Sequence, residues 1–201
     1  MAPNDAGPTS AHFQSGENRR EIAASAVAQL LAHGFIDEVD REAAHAIVEE
    51  LSRDAEIRVR RPLAGIIAHY DLLPRQTAER LARDVEEVAA PVITHSPMLG
   101  DEFLISLIQE TGTSEAKQVA IARRPCVSAH VSHALITTEN ANVVGTLLVN
   151  DGAELSEQSL AKAVKDHQGK PSVLRLVAER PEATPEIAAT CHSLMIDNEL
   201  E

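Results

Sequence analysis

Five dipeptides in the last two thirds of the chain share one plan. Leu73-Pro74, Leu99-Gly100, Val127-Ser128, Leu155-Ser156 and Ala183-Thr184 each join an apolar residue to one suited to opening a helix, at steps of 26, 28, 28 and 28 residues. An apolar stretch precedes each pair and another follows it, with partners four positions beyond the anchor, as from Val127 to Val131 and from Ala183 to Ile187. One helix-turn-helix unit cannot bury its apolar face alone and gains a core only by stacking on its neighbours, so a fixed period of this size points to a helical-repeat array. The expected fold is all-α: a right-handed α-solenoid of about five helix-turn-helix repeats of period ~28 residues, preceded by an N-terminal helical cap.

The segments ahead of the repeats do not share their register. Residues 1–18 are rich in Pro, Gly, Ser and Asn without apolar periodicity and read as a flexible tail. Residues 19–53 read as the cap, with one helix from Arg19 to His33 stopped at Gly34 and a second that Asp40 begins. Residues 54–201 then carry HEAT-like helical repeats, the first two blurred by Pro62 and Pro91, each of which should kink or split its helix. Ser114, Ser128, Asn140, Ser156 and Thr184 are placed as N-caps, and Arg123-Arg124-Pro125 as a helix stop.

A β reading fails for want of alternation and aromatic residues, since the chain has one Tyr, three Phe and no Trp. The formal net charge of −13 disfavours nucleic acid and anionic membranes, which need Lys and Arg to neutralise phosphate. No run of apolar residues approaches the ~20 that a membrane span requires. The amino-terminal residues lack the basic start and apolar core of a secretory signal, so the expected location is the cytoplasm, with Cys126 and Cys191 as reduced, buried thiols.

The charge is uneven. From Arg53 to Arg83 seven Arg stand against Asp54, Glu56, Asp71 and Glu79, so this stretch is net positive inside an acidic chain. Arg60-Arg61-Pro62 and Arg123-Arg124-Pro125 are the most suggestive polar features, and Arg60, Arg61, Arg123 and Arg124 are the candidate partner-binding residues. Arg123 and Arg124, with Arg180, equally suit a structural use: at helix C-termini they complement the dipole and reach acidic groups of the adjoining repeat.

His130 and His133 lie one helical turn apart but have no Cys, Asp or Glu at a metal-ligand spacing, so no metal or other cofactor is expected. No nucleophile elbow, phosphate-cradling loop or dinucleotide fingerprint occurs, and the Ser residues at helix starts are better explained as caps.

Two stretches carry a family resemblance. ARDVEEVAAPVITHSPMLGDEFLISLI, from Ala82 to Ile108, and the run VAIARRPCVSAHVSHALITTENANVVGTLLVNDGAELSEQSLAKAV beginning at Val119 resemble successive units of a bacterial family known as a domain of unknown function. Asp84, Pro91, Ser96, Leu99, Asp101, Leu104, Arg124, Val127-Ser128, Asn150 and Ala153 are among the matching positions, and the likeness extends over about residues 50–190. The resemblance implies HEAT-like or variant leucine-rich helical repeats and brings no reaction or cofactor with it.

The expected function is accordingly non-enzymatic: a scaffold or adaptor that binds a protein partner, or a second copy of itself, along a solenoid surface. The alternative is a regulatory or enzymatic domain acting on a small anionic ligand or phosphoryl group, with the four Arg as binders and His95 as acceptor.

Overall fold

The computed structural model describes residues 9–32 and 38–200, arranged as twelve helices. They are α1 (Thr9–Ala32), α2 (Glu38–Leu51), α3 (Ile57–Ile67), α4 (Arg75–Ala82), α5 (Glu86–His95), α6 (Asp101–Gln109), α7 (Glu115–Ala122), α8 (Ala129–Thr137), α9 (Ala141–Leu148), α10 (Glu157–Asp166), α11 (Pro171–Ala178) and α12 (Pro185–Leu200). Among the described residues there is no sheet, only an isolated parallel bridge between Val127 and Ala153.

Every anchor dipeptide sits where the period demands. Leu73-Pro74 lies between α3 and α4, Leu99-Gly100 between α5 and α6, Val127-Ser128 between α7 and α8, Leu155-Ser156 between α9 and α10, and Ala183-Thr184 between α11 and α12. Five helix pairs result. Leu73, Leu99, Val127 and Leu155 are buried, and so is the residue eight positions beyond each anchor: Leu81, Leu107, Leu135, Ala163 and Cys191. That spacing is about two helical turns, so each anchor and its partner bracket one buried face.

The chain divides into two compact units. Residues 1–92 and 96–98 form the first, in which α1 packs on α3 and α2, and α2 on α3. Ala24, Ala28 and Leu31 of α1 are buried in this unit, as are Val59, Leu63, Ala64 and Ile67 of α3. Residues 93–95 and 99–201 form the second. Here even-numbered helices stack on one another in the order α6, α8, α10, α12, and odd-numbered ones in the order α7, α9, α11. The recurring long-range pairing of like helices is that of a helical-repeat array.

Several local expectations are corrected. Helix α1 begins at Thr9, so residues 9–18, expected in the tail, are helical: Pro8 precedes the start, and within the segment Gly16 carries the largest single penalty, about 1 kcal/mol. Residues 1–8 of that tail and the expected stop at Gly34 lie outside the described residues. Pro62 and Pro91 split nothing, since α3 and α5 run through them. Each is the sixth residue of its helix, early enough that it forfeits a single backbone bond near an already poorly bonded end. The N-caps of the later repeats behave as read: Ser114, Ser128, Ser156 and Thr184 accept from the backbone three residues on, and Asn140 from Asn142 and Val143. Asp40, expected to begin α2, lies inside it, because the helix already runs from Glu38.

A groove across the even helices and a ladder of turns

The second unit presents a groove of about 740 Å³ running across α6, α8 and α10. Ile105 and Ile108 line it from α6, Ala129 and Ala134 from α8, with Gln109, Thr137 and Gln158 among its polar groups. The repeat explains the composition. Each even helix turns one side to the core, as with Leu104 and Leu107 or Val131 and Leu135, and the residues one position round the helix line the groove. A smaller groove of about 290 Å³ lies between α10 and α12, with Glu157 and Glu186 in its wall.

His130 and His133 both line the larger groove. His130 is exposed, while His133 is half-buried with its Nδ1 3.1 Å from the Ser159 hydroxyl on α10. Among the described residues no group of three or more His, Cys, Asp or Glu side chains is gathered as a metal would require.

The turns that follow the odd helices are tied to one another by side chains that reach back one repeat. Arg124, after α7, donates through Nη1 to the carbonyl of Ile93 in α5. Asn150, after α9, donates to the carbonyls of Ala122 (2.7 Å) and Arg124 (2.8 Å) and accepts from the Gly152 amide (2.9 Å). Arg180, after α11, donates to the carbonyls of Asn150 (3.0 Å), Ala153 (2.9 Å) and Leu148 (3.4 Å). Its remaining donors form a fork on Glu182 at 3.0 and 2.8 Å. The last carbonyls of a helix have no partner within it, and these side chains satisfy them from the next repeat. Backbone bonds reinforce the middle rung, where Val127 donates to Gly152 and Glu154 to Val127. Gly152 is required there, because a Cβ would lie 1.9 Å from the Pro125 carbonyl oxygen.

The four Arg singled out from the sequence have two fates. Arg60 forms a two-point pair with Asp84 at 2.5 and 2.8 Å and also donates to the Asp54 carbonyl, which raises its pKa through the Asp84 hydrogen bond above all. Arg124 is half-buried in the ladder, and that burial lowers its pKa. Arg61 and Arg123 are exposed.

The net-positive stretch is answered locally. Arg53 and Arg80 approach Glu49 of α2, Arg75 pairs with Glu79, and Asp54 takes Arg20 from α1. Arg180 was not among the four candidates, yet it is 8% exposed and bonds three backbone carbonyls and Glu182. The signal was its place three residues before an anchor, which Arg124 shares. Burial, the largest single influence, pushes the Glu182 carboxyl up, but the Arg180 hydrogen bonds, the residue's own backbone amide and the Arg180 charge together hold that group below the usual range.

The thiols divide. Cys191 is buried, which pushes its pKa up, but Cys126 is exposed, correcting the expectation of two buried thiols. In the turn before α8 it is the anchor Val127 that points inward, leaving its neighbour outside. No described helix is long and apolar enough to cross a membrane.

Fold and surface together define an all-α helical-repeat protein whose regular features are an inter-repeat ladder and a groove on its even helices. The chain belongs to the family described as "Uncharacterised protein conserved in bacteria (DUF2336)", whose model matches residues 88–195. Neither a curated protein nor a solved structure matches it.

Proposed function

We propose that this chain is a non-enzymatic interaction scaffold that docks a protein partner in the groove across α6, α8 and α10. One observation carries the reading: Ile105 and Ile108 of α6, Ala129 and Ala134 of α8 and Gln158 of α10 bring three consecutive repeats to one open surface, as binding faces of helical-repeat proteins are built. The rival reading, a small anionic ligand held by paired Arg side chains, draws little support from Arg60 and Arg124, whose donors are engaged by Asp84 and by backbone carbonyls.

The test places a photo-crosslinking amino acid at Thr137, which is exposed and lines the groove, and separately at Ser172 on α11. A defined protein adduct at position 137 and none at 172, in a bacterium carrying the protein natively, is the expected result. Equal labelling at both sites, or none at 137, refutes the assignment.

A further inference from the structure

Resting on that reading, we infer that the occupant of the groove is a basic amphipathic helix of a partner protein, with aliphatic side chains along one face and Lys or Arg beside them.

The floor of the groove argues for a helix. Two Ile of α6 and two Ala of α8 supply an apolar surface, and the Ala positions allow a close approach. A helix brings its backbone hydrogen bonds with it, whereas an extended segment needs a sheet edge to pair with, and the described residues offer none. Helix-in-groove binding uses apolar anchors on one face and leaves the flanks to polar and charged contacts.

Charge selects the sign of those flanks. No Lys or Arg lines the groove. Glu110 and Glu139 stand just beyond the C-terminal ends of α6 and α8, next in sequence to the lining residues Gln109 and Thr138, and Glu157 opens α10 between Ser156 and Gln158, in the wall shared with the smaller groove. Lys162, one turn beyond Gln158, lies 3.9 Å from Glu139 and offsets it in part, but the same ammonium is held more closely by Asp166 at 2.7 Å, so one cation stands between two carboxylates. The neighbouring groove adds Glu186. From Leu99 to Glu201 the chain has eight Lys and Arg against fifteen Asp and Glu, a background that steers a cationic segment toward this unit.

The experiment uses the full chain and three fluorescent peptides of equal length. One is a Leu/Lys peptide with a continuous apolar helical face, the second a Leu/Glu peptide of the same pattern, and the third the Leu/Lys composition permuted so that no face forms. Binding is read by fluorescence anisotropy at physiological ionic strength.

The patterned Leu/Lys peptide should bind at least tenfold more tightly than either control. It should lose at least tenfold with Gln109→Arg/Thr137→Arg, two exposed positions whose replacement leaves the thermal melt in place. Crosslinking of the bound peptide, mapped by mass spectrometry, should fall on α6, α8 and α10. Equal binding of the permuted peptide would reduce the effect to bulk charge and overturn the inference, as would undiminished binding by the double variant or crosslinks elsewhere. Preference for the Leu/Glu peptide would overturn the basic partner alone. A native adduct at position 137 whose formation in a cell lysate is not suppressed by Leu/Lys peptide added before irradiation would likewise sink this inference while leaving the docking groove standing; absence of any native adduct would sink the groove.

Discussion

Replacing Arg180 by Met tests the ladder at its most connected rung. Met keeps most of the aliphatic stem but removes every donor. The Ala153 carbonyl loses its 2.9 Å partner and the Asn150 carbonyl its 3.0 Å partner, in a setting where Arg180 is 8% exposed. A hydrogen bond involving a charged group contributes about 1.5–3 kcal/mol, so these two together account for roughly 3–6 kcal/mol. The 3.4 Å contact to Leu148 is too long to add much. Glu182, with its side chain 35% exposed, can turn to water once Arg180 is gone, which limits that pair to about 1 kcal/mol or less.

A total near 4 kcal/mol is a large part of the ~5–15 kcal/mol that holds a typical domain together. Because repeat arrays can unfold in parts, urea denaturation followed by circular dichroism should be paired with hydrogen exchange. Protection should fall first in α9 to α12. A loss below about 1 kcal/mol, no larger than that of Glu182→Gln, would refute the claim that the carbonyl contacts matter.

Gly152→Ala should destabilise by about 3 kcal/mol, since its Cβ would meet backbone at 1.9 Å and backbone cannot swing aside; thermal melts at matched concentration check this. In the first unit, Arg60→Met should cost about 3 kcal/mol by stranding Asp84, and Arg60→Met/Asp84→Leu should recover a good part of that loss in a double-mutant cycle.

Protonation supplies the remaining test. His167 is 2% exposed with no hydrogen-bond partner at Nε2, and burial first, then Lys170, pulls its pKa below the ordinary 6.5. The unfolded chain therefore takes up a proton that the folded chain refuses, so stability is full above about pH 6.5 and falls as the pH drops from there toward the lowered folded value. His167→Gln should flatten the stability profile between pH 6.5 and 5; an unchanged slope would show that the imidazole is solvated in solution. His45, also shifted downward by burial, leaves a residual slope of the same sign.

The helices were legible because their signals are local. An apolar period of about 28 residues, a capping hydroxyl at Ser114, Ser128 and Ser156, and a stop at Arg123-Arg124-Pro125 each act over a few residues, and each is found where it was read. Start and stop were less secure where nothing marked them, as at Thr9. The groove was not legible: Ile105 and Ala134 look like any other apolar helix positions, and only their neighbours across α6, α8 and α10 make them a surface.

The Arg side chains draw the line between the two kinds of information. Sequence alone determined that this chain forms stacked helix pairs, which residues anchor them, and that its balance of charge is acidic, because periodicity and composition are properties of the chain itself. Tertiary structure decided that Arg60 meets Asp84, that Arg124 and Arg180 serve carbonyls of the preceding repeat, and that Arg61 and Arg123 face water. A guanidinium on a long flexible stem has no preferred partner until distant segments are brought within hydrogen-bonding distance, and only the packed fold supplies that proximity.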